Sequence, residues 1–395
     1  MLTNRQLFLH HNAQTSDSPL LLEFKRASGV WIYDINEKPY MDLIAGIGVS
    51  NLGHCHPNVV NAVKNQAETY MHLMVYGEYI QNPQVQLATL LTAQLPSNLD
   101  SCYFVNSGAE AVEGAMKLAK RVTGRKEIIS CKNAYHGSTQ GALSLMSTDY
   151  FKTNFNPLLP NINHITFNDF NDLDKITEET AAVFIEPVQG EAGIRPAKQD
   201  YLVALRKKCN ETGTLLVFDE IQTGYGRTGH LFCFQKYNVI PDILLLAKGI
   251  GGGMPIGAFI SSKTNMDTFT SNPILGHITT FGGHPVSCAA GLATLKTLLS
   301  EQIVDTVEEK GALFESLLKH PNIISFRRSG LMMAIEFNDF KTNKRIIDLC
   351  IEDGVITDWF LHCDNSLRIA PPLIITEEEI KYACNIILKH IDSIN

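Results

Sequence analysis

Short, almost purely apolar runs alternate with amphipathic stretches between about residues 100 and 260. Because nearly every position in these runs is apolar, each strand they predict is expected to be buried on both faces, as in a mainly parallel sheet covered by helices. The runs that predict strands are residues 101–105, 127–130, 182–185, 215–218, 243–247 and 258–261.

Helical periodicity fills the intervals between these runs. Apolar residues at positions 111, 115, 118, 119 and 122 form one face at helical spacing, and Gly124 follows as a plausible stop. Thr376 followed by Glu377, Glu378 and Glu379 predicts a capped helix start near the end of the chain. The pattern therefore predicts an α/β fold, with a smaller α+β unit after about residue 286.

Composition and charge narrow the class of protein. The chain has 395 residues, 45% hydrophobic and 19% charged, with a net charge of −8. That size predicts two domains. Without a basic stripe carrying interleaved aromatics, a nucleic-acid partner is not expected. No apolar run has the length of a membrane span, and the first residues lack the apolar core of a signal peptide.

The cysteines point to a reducing compartment. Nine of them are scattered singly without a C-x-x-C pair, which favours reduced thiols and a cytoplasmic location. His54, Cys55 and His56 are adjacent and cannot easily converge on one ion, so no metal site is expected.

Lys248 is the most informative residue. It ends the apolar run 243–247, where a buried amine is costly unless it is neutralised, paired or used covalently. One covalent use is a Schiff base with an aldehyde cofactor. Another run ends in Asp219, and an acid there could hold the ring nitrogen of pyridoxal phosphate (PLP) while Lys248 takes the aldehyde. Alternatively, Asp219 is an ordinary helix N-cap.

Three further motifs are ambiguous when read alone. Residues 107–109 follow a strand and open a helix, which suits either a phosphate site or a simple serine cap. Tyr135 and His136 could stack on a flat ring or merely pack in the core. Glu186 and Glu191 flank a strand end, where they could be site residues or solvated loop acids.

Taken together, these segments resemble the class III (ω-amino) aminotransferases of fold type I, in particular the acetylornithine/ornithine aminotransferase branch. Residues 217–229 followed by Lys248 form the most specific match, and the resemblance extends from residues 51–57 to residues 367–373. It implies the PLP-dependent transferase fold, with a large PLP-binding domain at residues 55–286. The small domain would combine residues 1–54 and 287–395.

The resemblance also implies roles around the cofactor. Lys248 would bond to its aldehyde and then shuttle a proton. Asp219 would pair with the ring nitrogen and Gln222 would reach the ring oxygen. Tyr135 would stack on the ring with His136 beside it.

The remaining implied roles concern the phosphate and the substrate. Ser107, Gly108 and Ala109 would bind the phosphate, and Thr280 of a neighbouring subunit would complete that site, which implies a homodimer with shared active sites. Glu186 would support the cofactor's surroundings. Arg368 would bind a substrate carboxylate, with Glu191 as the acid that pairs with it and releases it.

One residue departs from the family pattern. Ser138 stands where acetylornithine, ornithine and 4-aminobutyrate enzymes usually carry an arginine that grips a donor carboxylate. We therefore expect the far end of the donor to be held differently or to lack a carboxylate, as in a diamine. Acetylornithine, succinylornithine, ornithine or lysine stay open if another basic residue fills the gap.

The expected reaction is transfer of a terminal amino group from an ω-amino donor to 2-oxoglutarate, giving glutamate and an aldehyde. A PLP-dependent aminomutase or a decarboxylating transaminase would use the same apparatus. A non-enzymatic binding module is disfavoured, because such a module has little reason to keep Lys248.

Overall fold

The computed structural model describes residues 2–394. Its strands are β1 (Phe24–Ser28), β2 (Trp31–Asp34), β3 (Pro39–Asp42), β4 (Ser101–Val105), β5 (Glu127–Cys131), β6 (Ile162–Ile165), β7 (Thr180–Ile185), β8 (Val188–Gln189), β9 (Arg195–Pro196), β10 (Leu215–Asp219), β11 (Ile243–Leu246), β12 (Gly257–Ser261), β13 (Ser325–Ser329), β14 (Met332–Glu336), β15 (Val355–Ile356), β16 (Asp358–Phe360) and β17 (Cys363–Ile369). Its α-helices are α1 (Asn4–His11), α2 (Ala45–Gly48), α3 (Pro57–Thr69), α4 (Asn82–Thr92), α5 (Gly108–Thr123), α6 (Gln140–Ser144), α7 (Gln199–Thr212), α8 (Phe234–Tyr237), α9 (Lys263–Met266), α10 (Pro285–Ser300), α11 (Val307–Leu317), α12 (Phe340–Glu352) and α13 (Glu377–Asp392).

A seven-stranded sheet in the order β4-β12-β11-β10-β7-β5-β6 forms the centre of the fold. The pairs within β11-β10-β7-β5-β6 are parallel, whereas β12 is antiparallel to both of its neighbours. The α/β fold with a mainly parallel sheet is therefore confirmed, and all six predicted strands are present. The sequence pattern missed β6, an edge strand in which only Ile165 is fully buried.

Helix α5 shows how local sequence places a site element. The Ser107 hydroxyl accepts a hydrogen bond from the Glu110 amide at 3.2 Å and caps the helix, while Gly124 ends it in the left-handed conformation. The helix packs so closely on the sheet that a Cβ at Gly114 would lie 2.3 Å from the Phe259 ring. The start of α5 is thereby held at the end of strand β4.

Two four-stranded sheets lie outside the central sheet, in the orders β1-β2-β3-β15 and β13-β14-β17-β16. Strand β15 pairs in parallel with β3, so residues 24–42 share a sheet with the C-terminal part of the chain. The predicted capping box at α13 is also present, with reciprocal bonds between Thr376 and Glu379. The domain boundaries after residues 54 and 286 stay a prediction.

The described residues also bear on membranes, cysteines and metals. No helix within residues 2–394 is both long and apolar enough to cross a bilayer. All nine cysteines are free thiols. His54 is paired with Asp42 at 2.9 Å, and the described part of the chain has no cluster of three potential metal ligands.

Arg227 ties distant parts of the chain together. Its fully buried guanidinium donates to the Leu331 carbonyl at 3.2 Å, to the Pro371 carbonyl and to the Asn51 side-chain oxygen at 2.7 Å. Asn51 belongs to the N-terminal segment, and Leu331 and Pro371 lie next to strands β14 and β17, whereas Arg227 follows β10. One side chain therefore joins three regions that are far apart in the chain.

Replacing Arg227 with leucine should lower the free energy of unfolding by about 3 kcal/mol or more, because three buried oxygens lose their donor. Urea unfolding measures the change. Arg345→Leu is the matched control, since Arg345 is exposed on α12. Equal stability of the two variants would show that the buried bonds are not needed.

Candidate active site

A cavity of about 740 Å³ opens where the parallel strands of the central sheet end. Most of the predicted site residues line it, although they come from five separate segments of the chain. The predicted residues that line this cavity are Ser107, Gly108, Ala109, Tyr135, His136, Ser138, Glu186, Glu191, Asp219, Gln222 and Lys248.

Lys248 follows β11 and begins a short 3-10 turn that ends at Gly251. Its φ of 49° lies in the left-handed region, which is unusual for a residue with a side chain and is often found at functional sites. Burial lowers the pKa of the Lys248 amine, although the nearby Glu191 opposes that shift. The amine is therefore more readily neutral, and more nucleophilic, than an exposed lysine.

Asp219 ends β10 and is held by two donors. One oxygen accepts from the Ile221 amide at 3.0 Å, and the other lies 2.7 Å from Nδ1 of His136. Burial lowers the pKa of His136, but the hydrogen bond and charge of Asp219, together with the charge of Glu186, raise it, so the net shift is upward. His136 therefore orients Asp219 from the side, a role that the sequence pattern did not predict.

Glu186 organises the loop that carries Tyr135. Its carboxylate accepts from the Tyr135 amide at 3.3 Å and from the Gly190 amide at 3.1 Å. Burial raises the pKa of Glu186 to about 7, and the Asp219 carboxylate contributes to the same shift. Glu186 is therefore protonated more readily than an exposed glutamate, which limits the negative charge around Asp219.

The N-terminus of α5 faces the cavity. The first amides of a helix lack helical partners and favour an anion. A Cβ at Gly108 would lie 2.9 Å from Ile221, and one at Gly137 would lie 2.7 Å from Ala109, so neighbouring loops enclose this end tightly. The Ser107 side chain acts as a cap, as the simpler interpretation expected, and its role toward a phosphate stays a prediction.

Arg368 and Glu191 form a buried bidentate pair. The two guanidinium nitrogens lie 2.9 and 2.8 Å from the two carboxylate oxygens. Arg368, Glu191, Tyr135 and Lys248 all line an adjoining cavity of about 390 Å³. The resemblance paired these two residues, and the fold brings them together beside Lys248 from positions far apart in the chain.

Residues 12–391 match the family model described as Aminotransferase class-III. The chain belongs to the class III aminotransferases. It is 40% identical to the acetylornithine aminotransferase of Methanopyrus kandleri, with 95% of each chain covered. It is 43% identical to that of Methanocaldococcus jannaschii, with 90% of each covered. Among solved structures, an ornithine aminotransferase from Toxoplasma gondii matches with a TM-score of 0.91 and 30% identity, covering 99% of this chain and 94% of that one.

Class III aminotransferases depend on PLP, and the Toxoplasma structure is described as having partial PLP occupancy at its active site. This class III aminotransferase is a PLP-dependent transaminase. The chemistry of the cavity fits the cofactor, because it combines an amine with a lowered pKa (Lys248), a carboxylate fixed by two donors (Asp219) and a helix N-terminus suited to phosphate.

Thr280 is the one predicted site residue that lines neither cavity. It is exposed, in a loop that also exposes the apolar side chains of Ile274, Leu275, Ile278 and Phe281. This position is compatible with a contribution to a neighbouring subunit's site, and that role stays a prediction for this class III aminotransferase.

Asp358 is a site residue that sequence reasoning missed. It lines the cavity beside Arg368, directly opposite it in the antiparallel pair β16–β17, with Oδ1 at 2.9 Å from the Arg368 Nε atom. The register of this pair shifts between Trp359 and Phe360. Continuing the register of the Phe360–Cys363 pair would place Asn365 opposite Asp358, so local sequence carried no usable signal.

Proposed function

We propose that this class III aminotransferase transfers the terminal amino group of an ω-amino donor to a 2-oxo acid, with 2-oxoglutarate as acceptor and glutamate and an aldehyde as products. The observation that carries the proposal is the Arg368–Glu191 pair beside Lys248. Arg368 can bind a substrate carboxylate next to the reactive amine, and Glu191 occupies that binding site until the substrate arrives.

When bound, PLP supplies an aldehyde for the amino group and a ring that withdraws electrons from the reacting carbon. Lys248 would hold the cofactor and then, as a free amine, move the proton between donor and cofactor carbons. Asp219, fixed by His136 and Ile221, would keep the ring nitrogen protonated. Tyr135, anchored through its amide to Glu186, would cover the ring, and Gln222 would reach its phenolic oxygen.

Arg368 and Glu191 support the proposed second half of the reaction, in which a 2-oxo acid accepts the amino group. Glu191 neutralises Arg368 when no acid substrate is bound, which suits a donor without a carboxylate near the reacting carbon. A 2-oxo acid would displace Glu191 and take the same bidentate fork. An aminomutase or a decarboxylating transaminase has less need for such an exchange, so the pair favours an external acceptor.

A homodimer is part of the proposal. The exposed apolar loop that carries Thr280 would be covered by a second subunit, and Thr280 would complete that subunit's phosphate site. We further propose a cytoplasmic location, since the free thiols suit a reducing compartment.

The donor is the least constrained part. The relatives are named as acetylornithine aminotransferases, which favours acetylornithine. Ser138 favours a donor without a carboxylate, since its hydroxyl, 3.1 Å from that of Tyr135, replaces no guanidinium fork. Within the described residues, Arg368 is the only arginine lining the two cavities. An assay of glutamate formation from 2-oxoglutarate tests the acetylornithine and the diamine hypotheses. The donors to compare are acetylornithine, ornithine, lysine, putrescine and cadaverine. Efficient use of acetylornithine without any diamine would rule out the diamine hypothesis.

Restoring the arginine gives a directed test. Ser138→Arg should raise kcat/KM for acetylornithine relative to cadaverine by about tenfold or more, because a bidentate fork then meets the donor carboxylate. Ser138→Lys is the matched control, since it adds the charge without the fork. An unchanged ratio in both variants would mean that position 138 does not contact the far end of the donor.

A further inference from the structure

Arg368 is shared between two acids. Glu191 grips the guanidinium with two well-formed hydrogen bonds, at 2.9 and 2.8 Å. Asp358 lies 2.9 Å from Nε, yet neither its Oδ1 atom nor that Nε atom has an aligned hydrogen bond within the described residues. Asp358 is therefore an electrostatic partner of Arg368 rather than a tightly bonded one.

The position of Arg368 does not depend on Glu191 alone. Its guanidinium also donates to the Trp359 carbonyl at 3.1 Å and lies 4.5 Å from the centre of the Phe360 ring. Because Asp358, Trp359 and Phe360 all belong to β16, this strand would hold the guanidinium in place after Glu191 moves away.

The net charge around Arg368 determines how strongly the site attracts a substrate carboxylate. When Glu191 and Asp358 are both ionised, the positive charge of Arg368 faces two negative charges. When Glu191 is displaced, the negative charge of Asp358 still neutralises Arg368. Burial raises the pKa of Asp358 to about 6, so at pH 8 it carries its charge. An incoming carboxylate would therefore meet a neutral pair instead of a free cation.

We propose that Asp358 is a specificity-determining residue of the acceptor half-reaction: it stays beside Arg368 as a second counter-ion when Glu191 gives way, and so weakens the binding of the 2-oxo acid and eases its release. This inference rests on the proposed function for its acceptor. A second counter-ion at Arg368 would also keep other carboxylate-containing molecules from binding tightly and blocking the site.

The test is Asp358→Asn, which keeps the shape and the acceptor oxygen while removing the charge. Glutarate, a dicarboxylate without a reacting oxo group, serves as the probe in isothermal titration calorimetry of the PLP-loaded enzyme at pH 8. We expect the variant to bind glutarate about tenfold more tightly and to show a similarly lower KM for 2-oxoglutarate. The KM for the amino donor should change far less than that for 2-oxoglutarate, because the donor of the proposed reaction does not bind Arg368.

Three variants serve as controls. Asp358→Glu keeps the charge and should retain weak glutarate binding. Asp364→Asn removes a charge from an exposed position on the neighbouring strand β17 and should change nothing. Arg368→Gln should abolish glutarate binding, which places the probe at this site.

The outcomes separate the two proposals. Unchanged or weaker glutarate binding by Asp358→Asn, in an enzyme that transaminates normally, would overturn the role of Asp358 alone. An enzyme that forms no glutamate from any donor, but whose Asp358→Asn variant binds glutarate more tightly, would overturn the proposed acceptor and leave the counter-ion role standing.

Discussion

Replacing Lys248 with alanine should lower the transamination rate by about 10⁴-fold, since the change removes both the covalent anchor and the proton shuttle. No other amine is placed to substitute, because the remaining cationic groups lining the two cavities in the described chain are Arg368, held by Glu191, and His136, bonded to Asp219. Glutamate formation from 2-oxoglutarate measures the loss.

A second readout separates catalysis from folding. The variant should still bind PLP, through the remaining contacts, but the absorbance of the protein-bound cofactor should be that of a free aldehyde. Lys263→Ala, on the surface in an ion pair with Asp267, is the matched control and should leave rate and absorbance unaltered. Activity of Lys248→Ala within tenfold of the wild type would refute the assignment of Lys248.

Asp219→Asn should lower the rate by about 10³-fold with much less effect on folding, because an amide cannot hold the proton on the cofactor's ring nitrogen. The neutral side chain would also lose its charge-assisted contact with His136, now 2.7 Å long, while its oxygen could still accept from the Ile221 amide. Single-turnover rates with a saturating donor measure the effect on proton removal.

The control for this change is Asp305→Asn, which removes the same charge from an exposed position. His136→Gln should give an intermediate loss, since Asp219 would keep its charge but lose one of its two donors. If Asp219→Asn retained a normal single-turnover rate with cofactor bound, the ring nitrogen would not need this acid.

Most strands of the central sheet can be predicted from the sequence. Strands buried on both faces are nearly continuous apolar runs, so β10 and β11 are evident from residues 215–218 and 243–247. Strand β6 is not, because an edge strand with one fully buried residue carries too little of that pattern. The antiparallel direction of β12 also depended on its two neighbours, not on its own residues.

The sequence by itself determined that Lys248 and Asp219 would end two strands of one sheet, since the carboxyl ends of neighbouring parallel strands meet at one edge. Only the tertiary structure decided that His136 orients Asp219, that Arg227 joins three regions and that Asp358 shares Arg368 with Glu191. These contacts join residues far apart in the chain or, for Asp358, depend on a register shift within a hairpin. Local sequence preferences encode neither the long-range contacts nor the register shift, because both arise from how separate elements pack.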